Sequence, residues 1–293
     1  MVEHNKIFQI MIKALMVLLC LICILPFILL LSASLTDEAV LFTEGYSFIP
    51  KKFSLDAYRY LLQNSSQILR AYFNTIMVTV VGTIANLAMT ILLAYPLSRK
   101  NLPGKQLLSF VVFFTMLFNG GVVSTYIMYT QYFHIKNTYA ALIVPNLMMG
   151  AFYVIMVRSY FTQNIPEEVL EAAKIDGAGE WKILFQVVLP MSVPIMATIA
   201  LMVGLQYWND WINGLYYVNN DSYYTIQILL NNMIEDMKAL SNSTVGSTAG
   251  TASLPSLSMK MAVAVIGIIP ILCVYPFFQK FFVKGITVGA VKG

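Results

Sequence analysis

The sequence predicts an all-α integral membrane protein: six transmembrane helices in one domain, with both termini cytoplasmic. Three observations carry this. Only 11% of the residues are charged and 58% are hydrophobic, whereas a soluble domain is about one quarter charged. Mean hydropathy is +0.72, which an ordinary buried core does not explain. The apolar residues also gather into runs of about 20 or more, enough to cross roughly 30 Å of hydrocarbon as helix. No long polar block is left over for a second domain in the 293 residues.

The first run, 11–33, follows His4 and Lys6 and contains Lys13 near its start. It is too long for a signal-peptide core, and no small-residue cleavage site follows it, so it is expected to be a retained helix kinked at Pro26. Residues 34–70 are mixed and polar. Within them, 54–67 starts on a capping serine and spaces Leu55, Tyr58, Leu61 and Leu62 for a short amphipathic helix. The second run, 71–97, ends at Arg99, Lys100 and Lys105. The third, 107–129, is interrupted by Asn119-Gly120-Gly121, and the fourth, 138–161, near Pro145-Asn146. A charged loop, 164–182, leads to the fifth run, 183–207, with Pro190 and Pro194 near its start. A long polar region, 209–258, holds a helical patch near 223–237 and a small-residue, flexible stretch at 241–256. The sixth run, 260–283, carries Pro270 and Pro276, and a short tail closes the chain.

Six crossings place both termini on one side, and basic residues decide which. With the amino terminus inside, eleven of the 18 Lys and Arg fall on short inner segments: Lys6, Lys13, Arg99, Lys100, Lys105, Arg158, Lys174, Lys182, Lys280, Lys284 and Lys292. The other seven are spread over longer outer loops. The loop 164–182 is therefore expected in the cytoplasm.

That loop has its own chemistry. Pro166 suits a first helical turn, and Glu167 and Glu168 sit where the helix dipole favours negative charge. Gly177 can adopt the left-handed conformation that ends a helix, giving about three turns capped at both ends. Ala172 and Ala173 leave a face without bulk. On the residues alone the segment is either a solvated connector or a docking surface. A connector usually takes about two to eight residues, and a finished helix calls for a partner.

Polar and aromatic residues within or beside the runs mark a second candidate site, a solute path: Asn119, Gly120, Gly121, Asn146, Gln206, Tyr207, Trp208 and Trp211, with Asn86 in an otherwise apolar stretch. Amides exchange hydrogen bonds with sugar hydroxyls, and aromatic faces cover the CH side of a sugar ring. The same residues also suit helix–helix contacts and the membrane interface.

Other chemistry is disfavoured. Cys20, Cys23 and Cys273 lie in apolar runs, and the two histidines, His4 and His134, are far apart, so no metal site is expected. A charge of +4 without a basic cluster argues against nucleic acid. Gly104-Lys105 is followed by Gln106 and lacks the upstream glycine of a phosphate loop, so the chain is expected to bind no ATP by that route. No acid or base stands mid-run and no internal repeat is evident, which disfavours an ion-coupled secondary transporter. A membrane enzyme would want clustered catalytic groups.

Glu171-Ala172-Ala173, Asp176-Gly177-Ala178 and Leu189-Pro190 resemble the EAA loop of permease subunits from bacterial ABC importers. The segments 118–123, 207–211 and 285–293 (GITVGAVKG) are similar to the carbohydrate-uptake branch, nearest to permeases for complex oligosaccharides and polysaccharide fragments. The resemblance extends over nearly the whole chain. It implies the type I importer permease fold, in a multi-pass chain of the bacterial inner membrane surrounded by lipid. It also implies that 164–182 holds a coupling helix seated on a cytoplasmic ATPase. Glu171 would make the polar contact, and Ala172, Ala173 and Gly177 would allow close packing and the turn, with Asp176, Leu189 and Pro190 completing the motif. Gly179 departs from the polar residue common at that place. The implied partners are two ATPase subunits that bind ATP and Mg, a second homologous permease forming a heterodimer, an extracellular solute-binding protein and an oligosaccharide. No cofactor is implied in this chain. A permease for a non-sugar solute is the alternative within the family.

Overall fold

A computed structural model describes residues 6–63, 65–242 and 257–290, and among them every regular element is helical. In chain order these are α1 (Lys6–Ser34), α2 (Glu38–Glu44), α3 (Asp56–Gln63), α4 (Ser65–Ser98), α5 (Lys105–Leu117), α6 (Val122–Ile127), α7 (Tyr139–Ile143) and α8 (Ala151–Asn164). There follow α9 (Glu167–Ile175), α10 (Glu180–Ile183), α11 (Leu189–Met191), α12 (Val193–Trp208), α13 (Ile212–Tyr217), α14 (Ile226–Asn242) and α15 (Leu257–Ala290). Short π-helical segments extend α6 over Met128–Tyr132 and link α10 to α11 over Leu184–Val188.

Among the described residues, three helical stretches are long and apolar enough to cross a membrane: Phe8–Ser34, Ser66–Ser98 and Leu257–Pro276. The third and fifth expected crossings are bent pairs. Lys105–Leu117 meets Val122–Tyr132 at 110°, and Glu180–Met191 meets Val193–Trp208 at 82°. The first bend falls on Asn119-Gly120-Gly121, where Gly121 has φ +81°. The second falls at Ser192, ahead of Pro194, which has no N–H to continue the helical ladder.

The fourth expected crossing departs furthest from a continuous helix. It is the five-residue α7, a non-helical segment and the 14-residue α8, neither of span length. Pro145 removes a donor, Asn146 takes φ +61°, and Gly150 is extended. Pro26 does not break α1, which runs through it. The tail expected beyond residue 283 instead continues as α15 to Ala290. The polar region 209–258 holds α13 and α14, and the rest of its small-residue stretch, 243–256, lies outside the described residues.

Packing divides the chain into two units, Met1–Ile68 with Leu229–Leu272, and Leu69–Ile228 with Cys273–Gly293. In the first, the side chains of α1 are exposed from Phe8 to Phe27, as suits a helix that faces lipid. Beyond it the chain is tied by short polar contacts. Ser34 Oγ and Tyr58 Oη are 2.9 Å apart, Ser32 Oγ donates to the Ser47 carbonyl (2.7 Å), and Thr36 bridges to Phe53. Asp37 caps α2 through the Ala39 N–H and pairs with Lys52 at 2.8 Å. That hydrogen bond holds the Asp37 carboxyl below its usual range. The amphipathic helix is shorter than expected, α3 burying Ala57 and Leu61 and leaving Leu62 exposed. Glu38 closes the unit. Its carboxylate accepts from Leu257 N (2.7 Å), Ser258 N (2.9 Å) and Ser258 Oγ (2.7 Å), satisfying donors at the start of α15.

In the second unit, a core of Val78, Tyr95, Leu142, Val154, Val157, Ile183, Val188, Ile199 and Val203 joins α4, α7, α8, α10 and α12. Polar side chains fix the segment after α13 to this core. Asn74 Nδ2 donates to the Ser222 and Tyr224 carbonyls (2.9 and 3.0 Å), and its Oδ1 accepts from Tyr139 Oη (2.9 Å). Asn137 Oδ1 accepts from Asn219 N and Asn220 N.

Replacing Glu38 by Ala removes the acceptor for three donors at the head of α15. The expected outcome is a stability loss of about 1–2 kcal/mol, the usual weight of a helix cap, read as a lower midpoint of thermal unfolding in detergent.

Candidate functional site

The charged loop begins at Pro166, which stands at the N-cap of α9 rather than inside its first turn and supplies no side-chain cap. Glu167 and Glu168 occupy that first turn and Lys174 the last, in accord with the helix dipole. The helix has nine residues, nearer two and a half turns than three. Its end is sharply defined. Gly177 has φ +77°, its N–H bonds the Lys174 carbonyl (3.0 Å), and Ala178 N–H bonds the Ala173 carbonyl (3.0 Å). This crossed pair is the Schellman arrangement, which here needs a left-handed residue at position 177.

Around this frame the motif residues divide into two faces. Leu170, Ala173 and Ala178 pack against the core. Glu171, Ala172, Asp176 and Gly177 are exposed, and a side chain added at Gly177 would meet nothing within 4 Å. Ile175 is 86% exposed, so an apolar side chain stands in the open beside small residues and acids, the composition of a surface that a partner can cover. Leu189 and Pro190 lie further on, in α11.

Sequence reasoning missed the groups that hold this loop. Tyr95 Oη, on α4, donates to Glu180 Oε2 (2.6 Å), and Lys174 Nζ reaches Glu180 Oε1 (3.2 Å). Lys100 pairs with Glu167, whose hydrogen bond and charge raise the lysine above its ordinary pKa. The available signal was local: Tyr95 and Arg99 stand four apart at the end of α4, and Arg99 lies 4.2 Å over the Tyr95 ring.

The residues considered for a solute path differ in burial and in hydrogen bonding. Asn119 turns its Oδ1 onto Gly121 N (2.9 Å), forming a local turn. Asn119, Gly120, Gly121, Asn146, Gln206 and Trp211 are exposed, and Trp208 is buried. Tyr207 is also buried, and its hydroxyl donates to the Ile143 carbonyl (2.9 Å). Asn213 Nδ2 donates to the Pro145 carbonyl (3.0 Å) and Asn86 Nδ2 to the Leu147 carbonyl (2.6 Å). Three side chains from α12, α13 and α4 thus satisfy three carbonyls released by the break between α7 and α8. Tyr207 and Asn86 thus direct these polar groups onto backbone in this structure. Gly82 makes room: a Cβ there would lie 2.5 Å from the Tyr207 ring. Asp210 caps α13 through Ile212 N and Asn213 N (3.1 and 3.3 Å), and burial pushes its carboxyl above the usual range against those two donors. No group of three or more metal-ligating side chains occurs among the described residues.

Comparisons with known proteins bear on this geometry. Residues 68–288 match the family described as "Binding-protein-dependent transport system inner membrane component". The chain is 38% identical to the polygalacturonan/rhamnogalacturonan transport system permease protein YtcP of Bacillus subtilis, over 99% of each chain. It is 28% identical to the trehalose/maltose transport system permease protein MalG of Thermococcus litoralis, over 94% of each. A crystal structure of a bacterial ABC transporter involved in the import of the acidic polysaccharide alginate holds a similar chain. Its TM-score is 0.80 at 28% identity, covering 94% of this chain and 97% of that one.

Two substitutions test the geometry. Tyr207→Phe leaves the Ile143 carbonyl unpaired and is expected to lose about 1–3 kcal/mol. Gly82→Ala is expected to lower the unfolding midpoint by driving the Tyr207 ring off that carbonyl, while Gly120→Ala, with nothing within 4 Å, leaves it nearly unchanged. Gly177→Val places a β-branched residue at φ +77°. It is expected to fray the end of α9 at a cost of about 1–2 kcal/mol, measured as faster amide hydrogen exchange at residues 174–178.

Proposed function

The chain belongs to the family of binding-protein-dependent transport system inner membrane components, and on that premise we propose that it is the permease subunit of an ATP-driven ABC importer. In this reading it carries oligosaccharides or polysaccharide fragments into a bacterial cell. As a member of this family it is a transport subunit rather than an enzyme. The transporter would comprise this chain, a second homologous permease, two ATPase subunits that bind ATP and Mg, and an extracellular solute-binding protein. Both termini and the α9 loop would face the cytoplasm, in keeping with the distribution of Lys and Arg.

The observation that carries the coupling role is the form of α9. It is a short helix with a fixed end, one face packed on the core and the other offering Glu171, Ala172 and Asp176. A partner that closes over this face would move the helix as a unit, because the Schellman turn and the core contacts of Leu170 and Ala173 resist local unwinding. The chain would then convert closure of the ATPases into movement of its apolar helices, an alternating-access cycle of rigid-body kind. The sugar assignment draws on the relatives, whose names record polygalacturonan/rhamnogalacturonan and trehalose/maltose transport, and on the alginate importer. Exposed amides and rings at Asn119, Asn146, Gln206 and Trp211 offer chemistry suited to a sugar.

The test is uptake in proteoliposomes holding the whole transporter and its binding protein. Ala172→Trp and Glu171→Arg are expected to cut ATP-dependent uptake by at least about tenfold, the effect of losing roughly 1.4 kcal/mol at the docking surface, with unchanged amounts of permease in the membrane. Wild-type uptake by both variants would sink the coupling role. Competition among galacturonan fragments, alginate oligomers, arabino-oligosaccharides and a dipeptide tests the cargo. Uptake of the dipeptide alone would overturn the sugar reading.

A further inference from the structure

The loop is fastened to the end of α4 at two points of unequal strength. Lys100 and Glu167 form one, but their side chains are 74% and 49% exposed, and solvated ion pairs of this kind hold little. At the other, Tyr95 is only 8% exposed and its hydroxyl gives a 2.6 Å bond to the Glu180 carboxylate, short and charge-assisted. The Glu180 carbonyl takes a second, longer contact from the same hydroxyl, at 3.3 Å. Between α9 and the end of α4 lies an open cleft of about 630 Å³, lined by Arg99, Leu170, Lys174 and Trp181. The coupling helix is therefore hinged on α4 near Glu180, with space along its side.

Arg99 occupies that cleft in an unfinished state. Its Nε and Nη2 are buried and have no hydrogen-bond partner. Nη2 lies 3.9 Å from Glu180 Oε2, the same oxygen that Tyr95 holds, and this distance is beyond a hydrogen bond. A displacement of about 1 Å would bring it into range. Glu180 thus has one buried partner engaged and a second waiting, the two discrete arrangements that a switching element requires.

We propose that Glu180 is a positioning residue for coupling, held by Tyr95 in this conformation and passed to Arg99 when the docked loop moves, so that the end of α4 registers the movement. This rests on α9 being the docking helix. The handover uses the open cleft as its travel. It makes α4, the longest apolar helix of its unit, the element through which motion of the loop enters the core. Lys174 holds the other carboxylate oxygen of Glu180, which lets one oxygen exchange partners while the side chain stays attached to the loop.

The experiment measures sugar uptake and ATP hydrolysis in parallel, in proteoliposomes holding the complete transporter and its binding protein. Tyr95→Phe keeps the ring under Arg99 and removes only the hydroxyl. Arg99→Gln removes the waiting charge, and Glu180→Gln weakens both partners. Each is expected to lower sugar moved per ATP by about five- to tenfold, within the usual range of coupling between sites, while ATP hydrolysis continues. The Tyr95→Phe/Glu180→Gln double variant is expected to lose no more than the worse single variant, since both act on one contact. A merely structural role would lower uptake and hydrolysis together, with additive losses, and would overturn the proposal. Wild-type sugar per ATP in Tyr95→Phe and Arg99→Gln, alongside loss in Glu171→Arg, would also overturn it while leaving the docking role intact. Unaltered transport in Glu171→Arg would instead remove the docking role on which the proposal rests. Should Glu180→Gln not assemble, the comparison of Tyr95→Phe with Arg99→Gln decides the matter alone.

Discussion

The constraint on which the second unit depends is the disposal of backbone carbonyls where an apolar run stops being helical. Water is scarce in the hydrocarbon region, and an unpaired polar group there costs several kcal/mol. At the break between α7 and α8, the Ile143, Pro145 and Leu147 carbonyls are taken by Tyr207, Asn213 and Asn86. These donors come from three other elements, so the break and its partners support one another. One local defect, set by Pro145 and Asn146, thereby fixes how α4, α12 and α13 meet. Gly82 completes the fit by letting the Tyr207 ring lie against α4.

The same constraint shapes the loop beyond. Because α8 is anchored at its start by those carbonyl contacts and along its length by Tyr153, Val154, Val157 and Phe161 in the core, α9 follows from a fixed base. Its short length, the Schellman end and the Tyr95–Glu180 bond leave it a small rigid body. The freedom is placed at the cleft beside it, where Arg99 Nε and Nη2 lack hydrogen-bond partners. Rigid scaffold and unfilled space therefore sit next to each other, the arrangement that the proposed coupling role calls for.

What the sequence made legible was local. Gly177 ends a helix because a left-handed residue is needed there, and glycine after Lys174-Ile175-Asp176 announces it. The interruptions at Asn119-Gly120-Gly121, Pro145-Asn146 and Pro194 follow from lost donors and unusual φ, which residue identity discloses directly. The partners were not legible. Asn86, Tyr207 and Asn213 meet carbonyls 61, 64 and 68 positions away, and no periodicity encodes such distances. An amide or tyrosine in an apolar run looks alike whether it awaits a sugar or a carbonyl, so Tyr207 was assigned to the solute path when its hydroxyl is engaged with backbone. The sixth helix outruns its expected end at 283 because the hydropathy of the run fades before its helix does.

The Glu38 cap also has a temporal side. Its carboxylate meets the head of α15 across 219 and 220 positions of sequence, and ribosomes release the amino-terminal end first. Glu38 is therefore made early, and the donors it will cap exist only after most of the chain has been inserted. Until then the head of α15 lacks the acceptor that Glu38 supplies. Capture of Leu257 and Ser258 is thus among the last events of biogenesis, and it ties completion of the first unit to synthesis of the final helix.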